Sequence, residues 1–221
     1  YLRKIKRHGL TCRVYSDPES LERFYREFYL PYHRTRFGSA LPPRPLVFYQ
    51  RFLGGLEIFA ACKEDGWIAA GVGVRHEDRY HFLDVGYRDG DTTHIHEGAG
   101  HALYYFAVKR ARAGGFHTLD LGSLPPLLSH SVLRYKVQWG GKLSRDPWQS
   151  RTLLLGSRDL NDKLARFLAH NPLIIEPRPG EFRGLIPAVP TEDFQKMIRR
   201  YDGIGLKGFS VIHEHGSVRP V

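Results

Sequence analysis

Residues 56–63, 67–75 and 80–87 are three short apolar runs, separated only by Glu64-Asp65-Gly66 and His76-Glu77-Asp78-Arg79. Polar connectors of hairpin length make consecutive strands pair antiparallel, because a parallel return needs a crossover of roughly a dozen residues or more. Any fold for this chain must therefore hold a meander here, and the other elements must be arranged around it.

Ahead of the meander, Thr11-Cys12-Arg13-Val14-Tyr15 alternates like a strand, and Ser16-Asp17-Pro18-Glu19-Ser20 supplies a cap, a helix-starting proline and an acidic first turn. Leu21, Phe24, Tyr25, Phe28 and Tyr29 then recur at helical spacing, with a stop expected at Pro31 and a basic turn, His33-Arg34-Thr35-Arg36, beyond it. A second helix is expected over 46–53, after Pro42-Pro43-Arg44-Pro45 and before Gly54-Gly55.

Past the meander the period changes. Ala102, Leu103, Tyr105, Phe106 and Val108 suit a buried helix over 98–113, closed by Gly114-Gly115 and feeding a strand over 116–121. A helix bearing Tyr135 and Lys136 follows and closes on Trp139-Gly140-Gly141; strands are expected over 142–145 and 151–155 and a helix over 161–170. A meander combined with crossover helices predicts an α+β fold, its mixed, mostly antiparallel sheet flanked by helices. From Pro172 the composition turns to proline, glycine and charge, which suggests a C-terminal extension with one short helix over 191–201.

With 221 residues and 42% hydrophobic content the chain can bury a sizeable core, which excludes disorder throughout. No run of eighteen apolar residues and no signal-peptide core is present, so no transmembrane segment is expected. Cys12 and Cys62 lie in strand-like surroundings that favour reduced thiols, hence a cytoplasmic location. The net charge of +10 favours anionic partners: a nucleotide-bearing cofactor, RNA or an anionic membrane surface.

Three segments carry a family resemblance: Asp17-Pro18-Glu19-Ser20-Leu21-Glu22-Arg23-Phe24-Tyr25 with Pro31-Tyr32-His33-Arg34-Thr35-Arg36-Phe37-Gly38; Gly66-Trp67-Ile68-Ala69-Ala70-Gly71; and the strand ending in Asp120 and Gly122 with its Tyr135-Lys136 helix. Over about residues 1–157 they resemble the GNAT acyltransferase superfamily, and within it the Fem-like branch. The resemblance implies a GNAT-like acyltransferase domain over 1–171 and an extension over 172–221. Because Fem-like proteins usually carry two such domains joined by a basic segment like the one that opens this chain, the resemblance also implies either the second half of such an architecture, with a twin domain preceding Tyr1, or a lone copy of it.

The implied function is an N-acyltransferase that moves an acetyl or other acyl group from acyl-CoA to an amine of a small molecule, peptide or cell-envelope precursor. The alternatives are an aminoacyl-tRNA-dependent peptidyltransferase, with tRNA as partner, and a non-catalytic GNAT-like binding domain of a larger protein. In GNAT enzymes the donor pyrophosphate lies on backbone N–H groups at a helix start, a place taken here by Gly98, Ala99, Gly100 and His101. This loop departs from the family at Ile95, where a basic or amide residue is usual, and Glu97 adds a negative charge.

Lys136 stands where the family has an aromatic-Lys pair and would hold a donor phosphate or polarise the acyl carbonyl. Asp84, at the end of the third meander strand, is the first candidate proton acceptor and Glu97 the second; Tyr87 or Tyr135 would return a proton to the leaving group. Asp120 and Tyr87 are the expected acceptor-side contacts, and Trp139 is read as core. Two histidine pairs, His94/His96 and His213/His215, each share a face if extended. They lack a cysteine and a third ligand at recognisable spacing, so no metal is expected, and the absence of a G-x-S-x-G elbow argues against a serine hydrolase.

Overall fold

The structure is a computed structural model that describes residues 1–145, 162–188, 191–201, 203–213 and 217–220. The elements run α1 (Leu2–Arg7), β1 (Thr11–Tyr15), α2 (Pro18–Arg23), a π-helical segment (Phe24–Tyr29), α3 (Leu30–Phe37), α4 (Leu46–Gln50), β2 (Leu56–Lys63), β3 (Gly66–His76) and β4 (Arg79–Tyr87). They continue with α5 (Thr93–Glu97), α6 (Ala99–Ala113), β5 (Thr118–Asp120), α7 (Ser131–Val137), α8 (Asp162–His170), β6 (Leu173–Arg178), β7 (Glu181–Pro187), α9 (Thr191–Arg200), β8 (Phe209–Ile212) and β9 (Val218–Pro220). This is the expected α+β class, with mostly antiparallel sheets and helices. By packing, the chain divides into two units, Tyr1–Gly122 and Ser123–Val221.

The first unit is built on a five-stranded sheet in the order β1-β2-β3-β4-β5, antiparallel through β4, with β5 parallel to β4. β2 and β3 are buried on both faces. Phe59, Ala61 and Ala69 pack with Ala99, Leu103 and Ala107 of α6, whereas Ile58, Ala60 and Val72 pack with Phe24 and Phe28 of the π segment and Tyr49 of α4. That two-sided burial explains why these strands read as near-continuous apolar runs. Two glycines on β3 make room for the rings of β4: a Cβ on Gly71 would meet Phe82, and one on Gly73 would overlap the Tyr80 hydroxyl.

Pro31 does not stop the helix before it. The backbone passes through the π segment, where the Leu30 N–H bonds back five residues to the Tyr25 carbonyl, and resumes as α3 with Pro31 in its first turn. The wider turn accommodates a ring and a missing N–H that a continuous α-helix would not tolerate there. His33-Arg34-Thr35-Arg36 is accordingly helical rather than a turn. The π segment also lies against β4, since a Cβ on Gly86 would overlap the Phe28 carbonyl.

Other expectations change as well. α1 takes up the basic opening segment, α4 is shorter than the expected 46–53, and β5 keeps only Thr118–Asp120 of the expected 116–121. Residues 142–145 form no strand, and the strand expected at 151–155 lies outside the described residues. In the second unit, Leu173 to Pro220 contribute a four-stranded sheet, β6-β7-β8-β9, where one helix was expected. Its cores gather around Leu128, Leu133, Ile186 and Phe209, and around Leu168, Leu173 and Leu185. Among the described residues no helix is long and apolar enough to cross a membrane.

Candidate functional site

β5 pairs with β4 over Arg79–His81 only, whereas β4 runs on to Tyr87. From Phe82 onward that edge of β4 has no strand partner among the described residues. The register against β3 shifts between Val72 and Gly73, so that Val72 faces Asp84, Gly73 faces Phe82 and Leu83 is the extra residue of a β-bulge. Bulges take a backbone segment out of the ladder and re-aim the adjacent side chains. Here the bulge directly precedes Asp84.

Asp84 is held from two sides. Its Oδ2 accepts from Tyr49 Oη at 2.9 Å and from Arg44 Nη1 at 3.1 Å, and the backbone N–H of Arg44 donates to Tyr29 Oη at 2.9 Å. The Arg44 guanidinium lies 4.8 Å from the Phe48 ring centroid, a cation–π arrangement. The pair remains partly open, with the Asp84 side chain 22% and the Arg44 side chain 34% exposed. Burial first, then the charge of Asp84, pushes the Tyr49 hydroxyl far above its ordinary range, so it stays a donor to the carboxylate. Tyr29 is raised as well, mainly by burial.

His81 lies on the same face of β4 as Asp84, the two being in register with Val74 and Val72. Its Nδ1 is 3.1 Å from Asp120 Oδ2, and an ionised carboxylate can only accept, so Nδ1 carries the proton. Asp120 Oδ1 also accepts from the Gly122 N–H at 2.7 Å, which fixes the turn where the chain leaves β5 at positive φ. Asp120, expected to contact the acceptor, is thus engaged in orienting a buried histidine and the strand end.

The opposite face of β4 carries Tyr87, which packs edge-on to Tyr32 with centroids 4.8 Å apart. A Cβ on Gly100 would come within 2.5 Å of the Tyr87 hydroxyl, so this glycine lets the first turn of α6 approach the tyrosine. Gly98, at φ +97°, is the left-handed joint between α5 and α6; it and Ala99 are buried. His101 stacks on Tyr1 at 3.9 Å, and burial, with nearby positive charge including Lys4, pulls its imidazole down to about 4.

Two cations lie against this loop. Lys4 of α1 donates from Nζ to the His96 carbonyl at 3.2 Å, and its side chain lies beside Gly98. Lys63 Nζ donates to Glu97 at 2.8 Å and His94 Nδ1 lies 3.1 Å from the same carboxylate, which holds Glu97 below the usual carboxylate range. Lys4 thus brings a positive charge from α1 beside the α5–α6 joint, and the Glu97 charge is answered by Lys63 of β2. Because 93–97 is helical, His94 and His96 do not share a face, which removes the premise of a histidine-pair metal site there. His213 is described but His215 is not.

Tyr135 and Lys136 belong to α7 in the second unit. Lys136 is buried and donates from Nζ to the Ser123 carbonyl at 3.3 Å; Tyr135 lies 6.4 Å from Trp139 between centroids. Sequence reasoning missed Arg44, Tyr49, Tyr29, His81, Lys4 and Lys63. For His81 and Asp120 a usable signal was present, since the ends of two paired parallel strands bring them level. For Arg44, forty residues from Asp84, there was none.

Residues 1–137 match the family model for the Acetyltransferase (GNAT) domain. Among solved structures the chain is similar to an aminoglycoside acetyltransferase from an uncultured soil metagenomic sample, in complex with sisomicin, at 14% identity over 69% of this chain and 97% of that one, with a TM-score of 0.43. It is similar to a transcriptional regulator from Bacillus halodurans C-125 at 17% identity over 65% and 99% of the two chains, with a TM-score of 0.45. A third, AAC(6')-Iy in complex with the bisubstrate analog CoA-S-monomethyl-acetylneamine, is 11% identical over 67% and 98%, with a TM-score of 0.41. The comparison with curated proteins finds no match.

Proposed function

The chain belongs to the GNAT acetyltransferase domain family, and from that premise we propose that it is an N-acyltransferase moving an acetyl or other acyl group from acyl-CoA to an amine of a small molecule, peptide or cell-envelope precursor. The observation that carries this reading is the edge of β4, which loses β5 after His81 and bulges at Leu83 immediately before Asp84. A strand edge without a partner among the described residues suits an extended ligand rich in amides. The fit of a CoA donor is further supported by Lys4 at the start of α6 and by the neutralised Glu97, which leave that helix end favourable for a pyrophosphate.

When bound, acyl-CoA supplies a thioester carbonyl that the amine nitrogen attacks, the C–N bond forming as the C–S bond breaks and the thiolate leaves. The protein's part is to hold, orient and deprotonate. Asp84 removes the proton from the acceptor ammonium; Tyr49 and Arg44 fix the carboxylate that does so. Gly98, Ala99, Gly100 and His101 form the donor side with Lys4, and Tyr87 packs behind Gly100. Lys136 and Tyr135 are assigned by the motif alone, and unchanged turnover in Lys136→Ala removes them from the mechanism. The family domain is taken to run over 1–171, and the unbridged Cys12 and Cys62 accord with a cytoplasmic setting.

Calorimetric titration of the full chain with acetyl-CoA, together with thiol release on mixing with a panel of amines, tests the proposal. Binding of acetyl-CoA and amine-dependent thiol release are expected. Salt-sensitive tRNA binding without acetyl-CoA binding would replace the donor with an aminoacyl-tRNA, and acetyl-CoA binding without turnover on any amine would favour a binding domain.

A further inference from the structure

The first unit carries eighteen lysines and arginines against fourteen aspartates and glutamates, and its charge is unevenly placed. Residues 28–56 hold four of the arginines and no acidic residue, so the rest of the unit is balanced and this one segment supplies its whole positive excess. Arg44 is paired with Asp84, whereas Arg34, Arg36 and Arg51 are exposed and form no ion pair among the described residues. Within the same segment the chain passes from the end of α3 towards α4 through Phe37-Gly38-Ser39-Ala40-Leu41-Pro42-Pro43, seven successive exposed residues without a charge. Phe37 is 38% and Leu41 49% exposed, and Val47 on α4 reaches 54%. This tip has a fixed base: the Gly38 N–H donates to the Arg34 carbonyl at 2.9 Å, the Ala40 N–H to the Phe37 carbonyl at 3.1 Å, and the Arg44 N–H to Tyr29 Oη at 2.9 Å.

An apolar tip flanked by guanidinium groups is matched by a surface that is negative outside and apolar beneath. A nucleic acid or an acidic protein answers the charge but reads its partner through hydrogen bonds, and the tip offers few, since Pro42 and Pro43 have no N–H and Ser39 is its one polar side chain. A bilayer with anionic lipids answers both parts: apolar side chains enter the boundary between head groups and acyl chains while the cations stay among the head groups. Arginine is suited to this division because its long stem follows apolar surface while the guanidinium remains in water, and the Arg36 guanidinium already lies 5.4 Å from the Phe37 ring centroid. We propose that residues 34–51 form a docking surface for an anionic membrane, with Phe37 and Leu41 entering the interface and Arg34, Arg36 and Arg51 on the lipid head groups. The attachment is peripheral, made by a loop and not by a spanning helix, and it does not depend on the acyl-transfer reading.

The test is sedimentation of the full chain with vesicles of phosphatidylcholine alone and of equal parts phosphatidylcholine and phosphatidylglycerol. Binding to the mixed vesicles is expected to be at least about tenfold tighter than to the neutral ones and to weaken as salt is added. Arg34→Gln, Arg36→Gln and Arg51→Gln should each weaken it by about fivefold, the effect of one basic residue near such a surface. Phe37→Ser combined with Leu41→Ser should weaken it by about tenfold or more. Leu41→Trp puts a reporter at the tip, and relative to wild type its emission should shift to the blue on mixed vesicles and be quenched by brominated acyl chains. All these positions are exposed, and the contrast between the two vesicle compositions stands for the wild type even if a variant folds poorly. Absence of binding, equal binding to both compositions, or salt-sensitive binding without any change in the Leu41→Trp emission overturns the inference. Binding to tRNA or to polyglutamate with none to vesicles also overturns it and gives the surface to a nucleic acid or an acidic protein.

Discussion

The first unit contains the same trio of groups twice, a carboxylate with an arginine and a tyrosine, on opposite faces of one sheet. Glu57 is in register with Gly73 and Asp84 with Val72, neighbours on β3 that point to opposite sides. Glu57 is closed: its side chain is 2% exposed, it receives both Nε and Nη2 of Arg110 and the Tyr80 hydroxyl, and Arg75 lies 3.5 Å away. Asp84 is less enclosed: Arg44 and Tyr49 donate to it, and 22% of its side chain is exposed. Identical chemistry thus serves two ends. A carboxylate enclosed by its own chain locks α6 to the sheet, and one that stays partly exposed, beside a strand edge without a partner among the described residues, is the one the proposed function assigns to the substrate.

The sharpest way to break this contrast is to remove the charge from each carboxylate in turn. Asp84→Asn preserves shape and loses the proton acceptor, so turnover should drop by about 10²–10⁴-fold, the usual contribution of a positioned general base. Its melting temperature should stay near that of the wild type. If thiol release persists in this variant, the open carboxylate is not the functional one.

Glu57→Ala should do the reverse. Removing a buried carboxylate strands the Tyr80 hydroxyl and two arginines that water partly reaches, a loss of about 2–3 kcal/mol. Urea denaturation measures it, and turnover per folded molecule should stay within about twofold of wild type. A folded Glu57 variant without activity would show that the α6 lock also shapes the site.

How far the sequence foretold this contrast follows from the range of the forces involved. β2 matches its expected span, Leu56–Lys63, and α6 begins and ends within a residue of expectation, because hydrophobic period, glycines and turn residues act locally. Asp84 could be singled out as a strand-end carboxylate on the strength of the resemblance. Its partner could not, since Arg44 is simply a basic residue among prolines, and the link of Arg110 to Glu57 spans 53 residues. The passage of the helix through Pro31 was equally hidden. Proline is a strong local stop, overridden here by the packing of the π segment on β4, where Gly86 admits the Phe28 carbonyl.

A smaller effect separates the donor side of the α6 face from its lock. Lys4→Ala removes one positive charge from the start of α6, where helix-end interactions are worth about 0.3–1 kcal/mol. Steady-state kinetics should give a rise in the KM for acetyl-CoA of about two- to fivefold, with kcat unchanged and the difference shrinking as salt is added. A change in kcat alone would place Lys4 outside donor binding.

The least conspicuous effect concerns pH, and it too assigns stability to the α6 face. Burial and neighbouring positive charge lower His101 from its ordinary 6.5 to about 4, so the folded state keeps the imidazole neutral while the unfolded chain protonates it. Its contribution is therefore complete above pH 6.5 and declines as the pH falls from there towards 4. Glu57 adds a second, lower window. Burial raises its carboxyl, but the hydrogen bonds of Arg110 and Tyr80 and the charges of Arg110 and Arg75 outweigh this and hold it below 4.5, so the stabilisation it supplies is lost as the pH drops below that value. Thermal melts between pH 8 and 5 should show a declining midpoint in the wild type and a flatter course in His101→Gln. A flattening produced by Asp84→Asn instead would mean that the open face also carries the pH dependence of stability, and the division of labour between the two carboxylates would fail at its weakest point.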